Sequence, residues 1–157
     1  MDAIRRVGAI NGERDNMTSL KFIVPFLIFI VAVHAFALIN YWYWTYQWLD
    51  IPMHFLGGFW AAMAIIFLIS NFQFPIQKEF LNQNFLRFTI VILSFVIFIG
   101  VFLEFVEFLY DIFISSRGYS GFLQLGAADT IADLFFDLLG AFVFIFIYRI
   151  QERFKKV

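Results

Sequence analysis

The stretch FTIVILSFVIFIGVFLEFVEFLY, Phe88–Tyr110, decides the fold of this chain. Its polar residues are few, it contains no Lys or Arg, and it is long enough to cross a hydrocarbon core of about 30 Å as a helix, which takes roughly 20 residues at 1.5 Å each. Three further stretches have the same character: about Phe22 to Ile39, Pro52 to Ser70 and Thr130 to Tyr148. The whole chain is 62% hydrophobic, with 25 Phe in 157 residues, well beyond the near-half apolar content of a soluble domain. The expectation is an all-α polytopic membrane protein, a four-transmembrane-helix bundle. Residues 1–21 read as a polar, disordered cytoplasmic segment, 22–148 as the transmembrane domain, and 149–157 as a basic cytoplasmic tail. Met17, followed by Thr-Ser-Leu-Lys, reads as an alternative start.

Lys and Arg set the orientation, because short positive flanks stay on the cytoplasmic side. Arg5, Arg6, Arg14 and Lys21 precede the first span. Lys78 and Arg87 lie between the second and third, and Arg149, Arg153, Lys155 and Lys156 follow the fourth; Arg117 alone falls on the other side. Both termini are therefore expected in the cytoplasm of a multi-pass cell-membrane protein, with Tyr41–Asp50 and 112–128 outside. The first span runs into Asn40-Tyr-Trp-Tyr-Trp rather than a small-residue cleavage site, so it reads as a retained helix and not a signal peptide. The run of Tyr41, Trp42, Tyr43, Trp44, Tyr46 and Trp48 reads as an interfacial anchor.

That orientation gathers the acids. Of the twelve Asp and Glu residues, Asp50, Glu104, Glu107, Asp111, Asp129, Asp133 and Asp137 fall at the outer ends of the spans. An ionised acid at the centre of a membrane helix is unfavourable by roughly 2.5 to 3.5 kcal/mol, so retained ones pair, take up protons, hold a cation or line a wet cavity. Glu104, Glu107 and Asp111 share one face of the third span, and Asp129, Asp133 and Asp137 one face of the fourth, because offsets of three, four, seven and eight residues fall within an arc of roughly 80 degrees. Each row descends by roughly 10 to 12 Å. Mutual repulsion favours proton uptake or a bound cation. Carboxylates with His54 suit a hard or borderline divalent ion such as Mg, Mn, Ca, Zn or Fe.

Plainer readings compete at some positions. Asp50 before Pro52, and Asp129 before Thr-Ile-Ala-Asp, have the form of helix N-caps. Asp111 reads as a solvated headgroup-level acid and His34 as a hydrogen-bonding partner of a neighbouring segment. His54, Glu104, Glu107, Asp133 and Asp137 remain as the candidate metal-ligating and catalytic set. Gly57, Gly58, Gly100 and Gly140 stand within one turn of these groups and allow close helix packing.

The segments Asp50-Ile-Pro-Met-His54-Phe55-Leu-Gly57, Glu104-Phe-Val-Glu107, Arg117-Gly118 and Asp129-Thr-Ile-Ala-Asp133-Leu-Phe-Phe-Asp137-Leu-Leu-Gly140-Ala141 resemble the VanZ-like and YjdF-like group of small membrane proteins. That group places an Asp ahead of a His-Phe pair on one helix, a Glu with a polar residue three later on the next, and an Asp-rich start with a Gly on the last. The resemblance implies the multi-helix fold and a polar site. It is closer to the YjdF-like branch, since Glu107 and Asp137 stand where VanZ itself shows Gln and Asn.

The functional expectation is a metal-dependent enzyme acting on a lipid or lipid-linked substrate at the outer leaflet, with a divalent ion as cofactor and the bilayer as partner. The alternatives are a non-catalytic protein binding a cation or headgroup, and a proton- or cation-coupled carrier, which four short helices would build as an oligomer. Nucleic-acid binding is excluded, because the basic residues are few, scattered and accounted for by topology. The absence of cysteine removes thiolate ligands and nucleophiles. Neither a phosphate-cradling loop nor a nucleophile elbow is present.

Overall fold

The structure is a computed structural model and describes residues 17–71 and 84–154. The disordered segment expected at the amino terminus, up to residue 16, and the basic residues Arg5, Arg6, Arg14, Lys78, Lys155 and Lys156 lie outside the described residues. Four long helices carry the fold: α1 (Leu20–Ile39), α2 (Asp50–Asn71), α3 (Phe85–Phe113) and α4 (Ala127–Phe154). All four are long and apolar enough to cross a membrane. α3 and α4 are longer than their apolar stretches, so Arg149–Phe154 continues α4 as helix.

Local sequence fixes the ends that matter for the site. Asn84 caps α3 by accepting from the Leu86 amide at 2.9 Å. α1 gives way to Tyr41 in the left-handed region (φ 57°), and the chain then makes a one-turn helix at Trp42–Thr45 and a 3-10 turn at Gln47–Leu49. α2 starts directly from that turn. α3 passes into a 3-10 turn at Ser115–Arg117, and glycines at positive φ flank the segment that follows, Gly118 at 79° and Gly126 at 119°.

The core lies where α2, α3 and α4 meet, around Ala62, Ile66, Ile92, Val96, Ala141 and Phe144. α2 and α4 approach backbone to backbone. A Cβ added at Gly58 would lie 1.9 Å from the Asp137 carbonyl oxygen, and one at Gly140 would lie 2.0 Å from that of Phe55. Small residues allow such approach where lipid supplies no hydrophobic drive between helices. α1 is peripheral: it rests on α2 through the Trp60 Nε1 bond to the Ile23 carbonyl, 3.0 Å, and the edge contact of Phe26 with Phe59. Large apolar side chains such as Phe98, Phe102 and Phe105 point outward. An apolar girdle of this extent belongs against acyl chains.

The α2–α4 approach should tolerate no side chain. Gly58→Ala and Gly140→Ala are expected to destabilise the bundle by at least the roughly 1 to 3 kcal/mol of core overpacking, whereas Gly57→Ala, whose Cβ would sit 3.8 Å from Asp137 Oδ1, should fold normally. Thermal unfolding in detergent, followed by size-exclusion chromatography, checks the ranking.

Candidate functional site

The close approach of α2 and α4 sets two acid-bearing helix faces against each other. Asp50 and His54 are one turn apart on α2, and Asp133 and Asp137 one turn apart on α4, so each pair shares a face. His54 is the point where they meet. Its Nε2 lies 3.6 Å from Asp50 Oδ1 and 3.8 Å from Asp133 Oδ1, and its Nδ1 lies 3.5 Å from Asp137 Oδ1. His54, Asp133 and Asp137 are buried and Asp50 is half-buried.

Ligand atoms of Asp50, His54 and Asp133 lie within 4.8 Å of one another, a buried cluster able to hold a metal ion. Donors at 2.0 to 2.2 Å from one tetrahedral ion sit roughly 3.3 to 3.6 Å apart, so side-chain adjustments of about an ångström would close the set around an ion. The chemistry fits as well: three acidic or imidazole donors with carboxylates in excess, and buried atoms without a hydrogen-bond partner, His54 Nδ1, Glu104 Oε1 and Asp137 Oδ2. Gly100 makes room for the last of these, since a Cβ there would lie 2.6 Å from Asp137 Oδ2.

Residues 11–153 match the family described as Predicted membrane protein (DUF2238). The chain belongs to that family. The match is to this family, and not specifically to VanZ-like or YjdF-like proteins. No curated protein and no solved structure matches the chain.

Within this member of the family, the expected site residues divide. His54 and Asp133 enter the converging set, and Asp137 flanks His54 from the other ring nitrogen. Glu104 is buried but engaged elsewhere: its Oε2 accepts from Gln124 Nε2 at 2.9 Å, and the same amide reaches the Glu104 carbonyl at 3.1 Å. Glu107 faces a cavity of about 390 Å³ that His54, Asp50 and Asp137 also line.

Three of the plainer readings are corrected. Asp50 is not a cap but the first residue of α2, preceded by the 3-10 turn, which leaves its carboxylate free to face His54. Asp129 lies inside the first turn of α4 rather than ahead of it, and ties the helix start by accepting from the Leu125 amide at 3.0 Å. Asp111 is buried, not solvated. Its Oδ1 accepts from Ser115 Oγ (2.8 Å) and the Leu123 amide (2.9 Å), and its Oδ2 from the Gln124 amide (3.0 Å). His34 behaves as expected of a hydrogen-bonding residue, with Nδ1 2.7 Å from the Tyr43 hydroxyl. Burial, with repulsion from Asp50 and Glu107, pushes the Tyr43 hydroxyl above its ordinary range, so it stays protonated and able to donate.

The aromatic run is divided in the same way. Tyr41 and Trp48 are exposed, as an anchor requires, while Tyr43 and Trp44 line the cavity. Trp44 Nε1 donates to the Phe122 carbonyl at 2.9 Å, which stitches the two segments at this end of the bundle together. Asp50, whose local pattern reads as a cap, and Trp44, which reads as an anchor, both belong to the site, and so does Gln124, which carries no sequence signal. For Asp50 the four-residue spacing to His54 was a usable signal; for Gln124, in a segment without periodicity, there was none.

Asp111→Asn is expected to loosen the 119–125 segment, because one amide oxygen cannot replace two carboxylate oxygens accepting three bonds. The loss should be about 1 to 3 kcal/mol, read as faster proteolysis within that segment and a lower unfolding temperature of the purified protein.

Proposed function

We propose that this protein is a divalent-metal-dependent membrane enzyme acting on a lipid or lipid-linked substrate, with Asp50, His54 and Asp133 holding the ion. The observation that carries the reading is the environment of His54: Nε2 faces two carboxylates, and Nδ1 faces a third, Asp137. A metal-ligating histidine characteristically gives its other ring nitrogen to a carboxylate, which fixes the tautomer and the ring plane. Asp137 Oδ1, 3.5 Å from Nδ1 and a small shift away from a hydrogen bond, is placed to act as the positioning residue of His54, and Glu107, at the cavity, is the carboxylate that meets the substrate. Glu104, one turn deeper on the same face, completes the acidic set. A bound ion would supply Lewis acidity or an activated water. The mixed imidazole and carboxylate donors suit Zn, Mn or Fe.

The site lies on the outer leaflet side in this reading, with both termini cytoplasmic, as the Lys and Arg distribution favours. The resemblance of Asp50–Gly57, Glu104–Glu107 and Asp129–Ala141 to VanZ-like and YjdF-like proteins supports the same polar site. A second reading rests on the same contacts: a protonated His54 between three carboxylates would hold α2 to α4 with no metal, as a structural network of shared protons.

Metal analysis separates the two. Wild-type protein purified without chelator should carry about one ion per chain, Asp133→Asn should lose it, and Asp137→Asn should bind at least about tenfold more weakly. Asp129→Asn, away from the cluster, should match wild type. Folded wild-type protein that carries no ion and gains no stability from Zn, Mn or Fe leaves the shared-proton network as the function of the cluster. For orientation, the absence of native cysteine makes single substitutions clean reporters. Ser116→Cys should react with a membrane-impermeant maleimide in intact cells, and Phe154→Cys only after permeabilisation.

A further inference from the structure

The cavity beside the cluster has a composition that restricts what it can hold. Ile30 and Leu38 of α1 form one wall and Leu103 and Val106 of α3 the other. Trp44 and Phe122, joined by their hydrogen bond, lie across its end. Two features point to a positive charge. Asp50, Glu107 and Asp137 line the cavity beside His34 and His54, and among the described residues no Lys or Arg does. Asp137, which lines the cavity, is 3% exposed, and its Oδ2, turned toward Gly100, has no hydrogen-bond partner, so the contacts among the cluster residues leave one of its oxygens unpaired.

Charge counting strengthens the point. Asp50, Glu104, Glu107, Asp133 and Asp137 bring five acidic groups to this end of the bundle, and one divalent ion together with His54 offsets at most three of them, which leaves the rest to protons or a further cation. A phosphate or sulfate headgroup would add to the surplus and meet no Lys or Arg among the described lining residues, only the imidazoles of His34 and His54. An ammonium would reduce it. Tyr43, Trp44, Tyr110 and Phe122 supply aromatic surface of the kind that attracts alkylated ammonium ions. The volume, about 390 Å³, is at the lower end of the roughly 300 to 1,000 Å³ of ligand pockets, enough for a headgroup and the start of a chain. The rest of a chain has a way out, because Val31 of α1 and Leu103 of α3 line the cavity and are both exposed.

We propose that this cavity binds the ammonium headgroup of a cationic membrane amphiphile that enters sideways between α1 and α3, with Glu107 as the counter-charge and the Tyr43, Trp44 and Phe122 rings around it. The proposal deepens the enzymatic reading by naming its substrate class, and rests on that reading for any turnover. Binding is measured apart from metal content.

The test uses the full chain in neutral maltoside micelles with decyltrimethylammonium, decyl sulfate and decyl glucoside added at equal mole fraction, reading tryptophan fluorescence and unfolding temperature, with metal content determined on the same samples. The expected result is a saturable response and stabilisation with the ammonium probe alone. Glu107→Gln should weaken it about tenfold. Val106→Trp, which fills the cavity and leaves every charge in place, should abolish it and guards against misfolding of the Glu107 variant. Equal responses to the three probes, or a response unchanged in both variants, overturns the proposal. Metal bound without ammonium selectivity overturns the proposal while the metal reading stands; ammonium selectivity in metal-free protein upholds it and removes the metal reading instead.

Discussion

The structure depends on one contact, the backbone-to-backbone meeting of α2 and α4 at Gly58 and Gly140. With no side chain between them, the helices come close enough for His54 on one to reach Asp133 and Asp137 on the other. The relation runs both ways. Buried carboxylates are unfavourable in a membrane unless something offsets them, so the His54 contacts are what makes the acids tolerable, and the glycines are what makes the contacts possible. A bulkier pair at these positions would separate a histidine from its carboxylates and leave charge uncompensated in a low-dielectric interior, where breaking a buried pair is more harmful than never having built one.

A second set of contacts turns this helix pair into a bounded site. Asp111 gathers the chain after α3 by accepting from Ser115, Leu123 and Gln124, and Gln124 then reaches Glu104 two helical turns deeper. Trp44 fastens the chain after α1 to the same segment at the Phe122 carbonyl. The two connections that bracket α2 and α4 are therefore not passive loops. They fold down over the acidic end and place Tyr43, Trp44 and Phe122 along the cavity, so that the carboxylates on the helices face a partly enclosed space.

Much of this was legible in the sequence, and the part that was not has a physical reason. Length and apolarity identify a membrane helix almost without context, since lipid leaves few other structures possible, and all four spans are found where the sequence put them. The facing of the acid rows was legible too, because spacing fixes which residues share a face. What spacing could not decide was rank. Asp50 fits a cap by local pattern, and only the 3-10 turn that precedes it shows that its carboxylate is free for His54. Asp111 looked solvated by its position near a helix end, and only the fold of the following segment buries it. Gln124 carries no periodic signal at all, and its role exists solely through a contact twenty residues away in sequence.

The distribution of polarity along the three core helices bears on the choice between chemistry and conduction. Moving away from the acidic end, α2 passes from His54 to Ala62 and Ile66, α3 from Glu104 through Gly100 to Val96 and Ile92, and α4 from Asp137 to Ala141, Phe144 and Ile145. All three lose their polar groups at the same level. Below it, Phe59, Phe144, Tyr148 and Phe88 follow one another in ring contact. Thr89 is the buried polar side chain of the core among the described residues of this half. A relay for protons or ions needs successive partners across the bilayer, because each unpaired step in hydrocarbon is unfavourable by several kcal/mol. A site that binds and reacts from one side needs them at one end only. Among the described residues the polarity of this bundle is confined to one end, which is what the proposed one-sided site requires, and the apolar half forms the base on which the His54 cluster is held.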